Sequence, residues 1–322
     1  MISILSAFKF PILVLLSCVL VISDGYGASV PPASRWEAYG NDNGGTRHSS
    51  AAEITPANVD RLKPAWTYRT GEDYSGRPQE GRATFQATPL LIDGILYLST
   101  PSNRVIALHA ETGAELWVFD PEIDIDSRLF SEFTSRGVSY WQDQESGEER
   151  LFLGTIDGRL IALKLATGTR VSSFGTRGEV DLTIGVGKVE PGQYSVTSPP
   201  AVVNDTVVVG SAIGDNRRVD SERGVVRAVD ARTGAIRWSW DPIPRSKNRE
   251  NWNHWQADEA QQPGAANAWA PLSADPERGL VFVPTGSPSP DYYGGERIGS
   301  NLYANSVVAL SVETGEVAWH FQ

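Results

Sequence analysis

The chain has 322 residues, a net charge of -11, 31 glycines, 20 prolines, 10 tryptophans, four histidines and one cysteine. That acidity excludes nucleic acid as a partner, because phosphate binding needs a basic patch. The single Cys18 excludes a disulfide or thiolate metal site, and His48, His109, His254 and His320 are too scattered for zinc. Taken in chain order, residues 1–28 read as an export signal: Lys9, an apolar run over 10–22 that contains Cys18, then small residues for cleavage. The run is about 13 residues, against roughly 20 for a bilayer-spanning helix, so the expected location is the periplasm, with no required membrane contact.

Beyond the leader the chain repeats itself. VIALHAETGAELW at 105–117 returns as VRAVDARTGAIRW at 226–238 and as VVALSVETGEVAW at 307–319. LIALKLATG at 160–168 is a weaker copy with Phe174 near the tryptophan position. Residues 64–68, with Trp66, look like the last strand of a copy lacking its first half. Each copy reads as a hairpin. Apolar residues form one strand, a Thr-Gly turn reverses the chain, and a second short strand ends in Trp. Glycine supplies the positive φ of such a turn, and a tryptophan at fixed offset packs between neighbouring sheets. Further hairpins lie upstream of the copies, at 88–98, 200–209 and 272–283.

Two hairpins make a four-stranded antiparallel blade, and blades arranged radially make a propeller, so the expected class is an all-β propeller. The turn glycines Gly113, Gly168, Gly234 and Gly315 are 55, 66 and 81 residues apart, which fits blades of about 45 residues carrying insertions. The largest insertion, 241–267, carries Trp252, His254 and Trp255. Periodic residues serve packing, so function is expected from the segments that interrupt the repeat.

Those segments carry a family resemblance. The repeat resembles the tryptophan-docking motif of the pyrroloquinoline quinone (PQQ) dehydrogenases. WEAYGNDNGGTRHS at 36–49, ITPANVDRLKPAW at 54–66, SRGVSY at 135–140, TSPP at 197–200 and NAWAP at 267–271 resemble other parts of them. The likeness runs from Trp36 to Gln322. It is greatest to the glucose/quinate/shikimate group, and the paired vicinal cysteines of the alcohol and methanol group are missing. It implies PQQ-dependent oxidation of an alcohol, sugar or polyol, with a quinone or cytochrome as electron acceptor. The alternative is a non-catalytic periplasmic scaffold built on the same propeller, which would not need these segments.

The resemblance also implies site residues. PQQ is a flat tricarboxylate, so a site for it needs cations, hydroxyls, an aromatic floor and a calcium ion at the reactive carbonyl. Arg136 matches the arginine that holds a cofactor carboxylate, and Thr197 and Ser211 match hydroxyl donors. Gln86 stands where relatives place Glu or Gln, and Trp269 matches the indole under the ring system. For calcium, Asn267 matches an amide ligand. Asp215 is the carboxylate candidate, with a plain turn aspartate as the other reading. Glu132 stands where glucose-oxidising relatives have His, which puts glucose in doubt as substrate. The family's catalytic base is an Asp in a His-Asp-x-Trp-Asp stretch expected beyond Gln322. Residues 29–322 are therefore expected to be about half of an eight-bladed propeller, with little activity alone. An eight-bladed ring needs on the order of 500 residues.

Overall fold

The computed structural model describes residues 35–255, 263–295 and 297–322, so the leader reading over 1–28 and Cys18 lies outside the described residues. Among the described residues the regular structure is strand, apart from two single 3-10 turns at Val59–Arg61 and Trp252–His254. No described helix is long and apolar enough to cross a membrane. Strand β1 (Thr84–Phe85) precedes a first blade of β2 (Leu90–Ile92), β3 (Ile95–Ser99), β4 (Val105–His109) and β5 (Glu115–Phe119). Strand β6 (Thr134–Ser135) precedes a second blade of β7 (Ser139–Gln142), β8 (Glu149–Gly154), β9 (Arg159–Lys164) and β10 (Glu179–Asp181). Strand β11 (Tyr194–Ser195) precedes the third, β12 (Ala201–Val203), β13 (Thr206–Val209), β15 (Val226–Asp230) and β16 (Ile236–Trp240), with β14 (Ala212–Ile213) inserted. The fourth is β17 (Ser273–Asp275), β18 (Leu280–Pro284), β19 (Val307–Ser311) and β20 (Val317–Phe321). Each blade is an antiparallel meander in strand order, as the repeats required.

The core consists of layers between blades. Val105 and Ala107 of β4 pack with Leu151, Leu153, Ile161 and Leu163 of the second blade. The opposite face of β9, Leu160 and Ala162, packs with Val207, Val209 and Val229 of the third. Val208, Val226 and Ala228 then pack with Val281, Val308 and Leu310 of the fourth. Side chains alternate faces along a strand, so a strand between two layers must be apolar at every position. That is why VIAL, LIAL and VVAL read as unbroken runs rather than alternating ones. Each such Val, Leu or Ile contributes roughly 1.5–3 kcal/mol by leaving water.

The repeated Trp and Gly meet across the blades. A Cβ on Gly113 would lie 2.5 Å from Cδ2 of Trp66, one on Gly168 would lie 2.7 Å from Cδ2 of Trp117, and one on Gly315 would lie 2.6 Å from Cδ2 of Trp238. The indole of one blade thus lies against the Thr-Gly turn of the next, where only a residue without Cβ fits. The Trp66 and Trp238 N–H groups donate to the carbonyls of Ala110 (3.0 Å) and Val312 (2.8 Å). Residues 64–68 form no strand, yet Trp66 docks as the others do.

The second blade departs from the pattern. Phe174 turns inward to pack on Phe152, 5.5 Å between ring centroids, and the Gly175 N–H docks on the next turn by donating to the Thr233 carbonyl at 2.8 Å. Charge takes over the rest of that seam. Arg150 and Arg232 lie over the Trp141 ring at 5.3 and 5.5 Å, Arg150 donates to the carbonyls of Ala231 and Arg232, and Arg232 pairs with Asp143 (2.9 Å) and Asp205 (2.7 Å).

Candidate functional site

The first strand of each blade, β2, β7, β12 and β17, is an edge strand of its sheet, and β12 lies beside both β7 and β17. The segments that run into these strands break the repeat, and they hydrogen-bond sideways to one another. The β1–β6 pairing is parallel, and Thr88 N–H donates to the Arg136 carbonyl at 3.1 Å. Arg136 N–H donates to the Thr197 carbonyl at 2.8 Å. Ser198 Oγ donates to the Trp269 carbonyl at 2.6 Å, and Asn267 Nδ2 donates to the Ser211 carbonyl at 2.7 Å. Gly137 permits the first approach, because its φ of +137° suits glycine and a Cβ there would stand 3.1 Å from the Thr88 carbonyl.

These ties bring Arg136, Thr197 and Trp269 together at one place. Arg136 Nη1 donates to Thr197 Oγ1 at 2.7 Å, and its guanidinium carbon stands 5.2 Å from the centre of the Trp269 ring. The guanidinium is half-buried, and its other N–H groups have no acceptor among the described residues. Burial lowers its pKa below the ordinary arginine value, while Glu132 and Tyr39 act in the opposite sense. Trp269 is 50% exposed, unlike Trp238 and Trp240, which are 8% and 5% exposed in the interblade layer. An arginine with open donors beside a half-open indole can hold a flat anion by charge-assisted hydrogen bonds and ring contact.

The remaining sequence candidates are placed differently. Gln86 is exposed next to this group, on the continuation of β1, and its Nε2 donates to Thr84 Oγ1 at 2.9 Å. Ser211 is buried, its hydroxyl makes no hydrogen bond with a described residue, and it lines a small cavity together with Thr197 and Trp269. Asn267 is buried, and its side-chain carbonyl accepts no hydrogen bond from a described residue. Asp215 is partly buried beside Asp291 and Glu132, and burial followed by the Asp291 charge raises its pKa. Among the described residues no group of three or more His, Cys, Asp or Glu side chains is arranged to hold a metal. Trp252 and Trp255 of the long insertion are buried and serve packing, with Trp255 Nε1 donating to the Leu302 carbonyl at 2.6 Å, while the exposed His254 meets Ser300 Oγ through Nδ1 at 2.8 Å.

Sequence reasoning passed over two groups. Tyr39 was visible only as one letter of the 36–49 segment, yet the Arg47 guanidinium lies over its ring, 5.1 Å from the centre. Asp291 had no motif around it. Its backbone N–H donates to Asn216 Oδ1 at 3.1 Å, and the neighbouring Ser289 hydroxyl donates to the Arg218 carbonyl at 2.6 Å, which brings that loop to Asp215.

Comparison with known proteins gives a consistent assignment. The family model described as glucose/ethanol/alcohol dehydrogenase, β-propeller domain (PQQ) matches residues 36–322. The chain is 36% identical over 301 residues to a glycerol dehydrogenase large subunit of Gluconobacter oxydans (strain 621H), covering 91% of this chain and 39% of that protein. It is 35% identical over 315 residues to a quinate/shikimate dehydrogenase (quinone) of Acinetobacter baylyi (strain ATCC 33305 / BD413 / ADP1), covering 90% and 38%. The crystal structure of a quinohemoprotein alcohol dehydrogenase from Comamonas testosteroni superposes with a TM-score of 0.72 at 29% identity, covering 90% of this chain and 41% of that one. The chain spans about two-fifths of the length of these relatives.

Proposed function

The chain belongs to the PQQ dehydrogenase β-propeller family, and from that premise we propose that it supplies the PQQ-binding inner segments of a quinoprotein oxidising an alcohol, sugar or polyol. The observation that carries this is the half-buried Arg136 guanidinium, open at its remaining N–H groups and set beside the half-exposed Trp269. When bound, PQQ supplies a quinone carbonyl that takes up two electrons from a CH–OH group, and calcium makes that carbonyl more electrophilic.

Arg136 binds a carboxylate of the cofactor, and Thr197, accepting from Nη1, holds the guanidinium in place for it. Trp269 offers its open indole face to the ring system. Asn267 and Asp215 offer a neutral and an anionic oxygen to calcium, and the raised pKa of Asp215 fits a carboxylate placed where a cation would relieve crowded negative charge. Glu132, exposed beside Arg136, adds negative charge at the rim where substrate enters. Relatives named as glycerol and as quinate/shikimate dehydrogenases support a polyol or hydroxy-acid substrate. The word quinone in the second name supports a quinone acceptor, with a cytochrome as the other candidate. Export to the periplasm rests on the N-terminal sequence.

The test is a titration of PQQ into the protein with calcium present, followed by quenching of tryptophan fluorescence. Saturable binding that Arg136→Ala weakens at least tenfold is expected. Binding unchanged by both Arg136→Ala and Trp269→Ala would overturn the assignment.

A further inference from the structure

The seam between the second and third blades, which lacks a docked indole, holds a cavity of about 850 Å3 between their last strands, β10 and β16. Phe174 is turned into the second blade, and among the described residues no aromatic side chain lines the space. Two backbone hydrogen bonds bridge its walls: the Gly175 N–H donates to the Thr233 carbonyl and the Arg223 N–H to the Val186 carbonyl, both at 2.8 Å. Val180, Val225, Ile184 and Ile236 give it apolar surface, and the two isoleucines are 71% and 45% exposed.

The same cavity is lined by the guanidinium-bearing residues Arg223, Arg227, Arg245 and Arg249. Its carboxylates are already engaged. Glu179 is held by Arg159 and Arg170 at 3.0 and 2.8 Å, Asp241 by Arg245 at 2.8 Å, and Asp181 accepts the Thr183 N–H at 2.8 Å. Arg227 is 6% exposed and forms no ion pair with a described residue; it donates to the carbonyls of Leu182, at 2.6 Å, and Ile184. Arg249 gives one N–H to the Asp241 carbonyl at 2.9 Å, and the exposed Arg223 side chain meets no acceptor among the described residues. The groove therefore presents unneutralised positive charge on a chain whose net charge is -11.

We propose that this groove binds an amphipathic anion, a carboxylate or phosphate head on an apolar chain, with the head at Arg223, Arg227 and Arg249 and the chain along Ile184 and Ile236. A buried cation without a counter-charge is costly, and an anion beside Arg227 removes that cost. Guanidinium groups with unused donors hold carboxylate and phosphate by charge-assisted hydrogen bonds. A small inorganic ion would leave the isoleucines in water, and a neutral apolar molecule would desolvate the cations without pairing them. Fatty acids and anionic phospholipids share the required chemistry. Arg136, Thr197 and Trp269 do not line the cavity, so the inference is independent of the cofactor reading.

The experiment is calorimetric titration of the protein with octanoate, acetate and 1-octanol, together with sedimentation with phosphatidylcholine vesicles with and without phosphatidylglycerol. Saturable octanoate binding is expected, with acetate and 1-octanol each much weaker. Combining Arg223→Gln with Arg249→Gln should weaken it roughly tenfold, the loss of charged hydrogen bonds. Ile184→Ser, at an exposed site, should weaken it about threefold by removing apolar contact. Melting temperatures of the ligand-free variants control for folding, and Arg223→Gln alone reads the charge if the double variant melts early. Octanoate binding without sedimentation assigns a free acid; sedimentation that requires phosphatidylglycerol and is lost in the arginine variants assigns a lipid headgroup. Neither octanoate binding nor such sedimentation, acetate or 1-octanol binding as tightly as octanoate, or full affinity in folded arginine variants would each overturn the proposal.

Discussion

A cation held by one hydroxyl and one indole still has most of its donors to give, and Arg136 is in that state. Lysine carries the same charge but cannot present two parallel N–H groups. Arg136→Lys should therefore still bind PQQ, about tenfold more weakly, whereas a purely coulombic role would leave affinity near wild type. Thr197 contributes through the arginine: Thr197→Val leaves Nη1 without its acceptor and should weaken PQQ binding less than Arg136→Ala does. Isothermal titration of the three variants orders these contributions, and a Thr197→Val effect larger than that of Arg136→Ala would contradict the arrangement.

Among the elements, docking of an indole on a Thr-Gly turn recurs at three positions and is replaced at a fourth. Gly168 has φ +66° and no space for a Cβ against Trp117, so Gly168→Ala combines backbone strain with a clash and should cost about 2–5 kcal/mol in urea unfolding. Trp238, 8% exposed in the third–fourth layer, should cost about 3–5 kcal/mol on truncation to Ala. Trp319, 46% exposed, should cost distinctly less. The third blade also carries a measurable acid response. Burial pushes the Asp230 carboxyl up, but hydrogen bonds from Arg237 and Thr233 outweigh it and bring the pKa down to about 2. A carboxylate depressed in the folded state stabilises above its unfolded pKa of about 3.9 and loses that contribution as pH falls toward 2. Melting temperatures between pH 5 and pH 2 should fall less steeply in Asp230→Asn than in the wild type. At the second–third seam, Arg232 holds the Asp143 carboxyl well below the usual carboxylate range by direct hydrogen bonds, so the same acid limb loosens the one seam that lacks a docked tryptophan.

For the whole molecule, the site is assembled from segments of four blades, and a ligand touching several of them couples their separation to its own release. Binding to the folded state alone stabilises by about 2.7 kcal/mol at a hundredfold excess over Kd. PQQ with calcium should therefore raise the melting temperature of the protein, and chelation of calcium should reverse part of that rise. A melting temperature indifferent to both would mean that the inner segments hold no such ligand.

Much of this was legible in the sequence because a strand between two layers has to be apolar on both faces, and because a turn that receives an indole has to contain glycine. VIALHAETGAELW and its copies state the apolar strand and the glycine turn locally, so the four-stranded blades and their strand order were legible in the repeats, whereas the approach of each indole to a turn glycine was not. The grouping of Arg136, Thr197 and Trp269 was legible only through family likeness. Nothing in their spacing brings residues 61 and 133 positions further along the chain back to Arg136; hydrogen bonds between blade-entry segments do that. The inward turn of Phe174 onto Phe152 and the docking of Gly175 on the Thr233 carbonyl were decided by the tertiary structure. Each depends on which neighbour a side chain meets across a seam or an axis, and a local pattern carries no record of that neighbour.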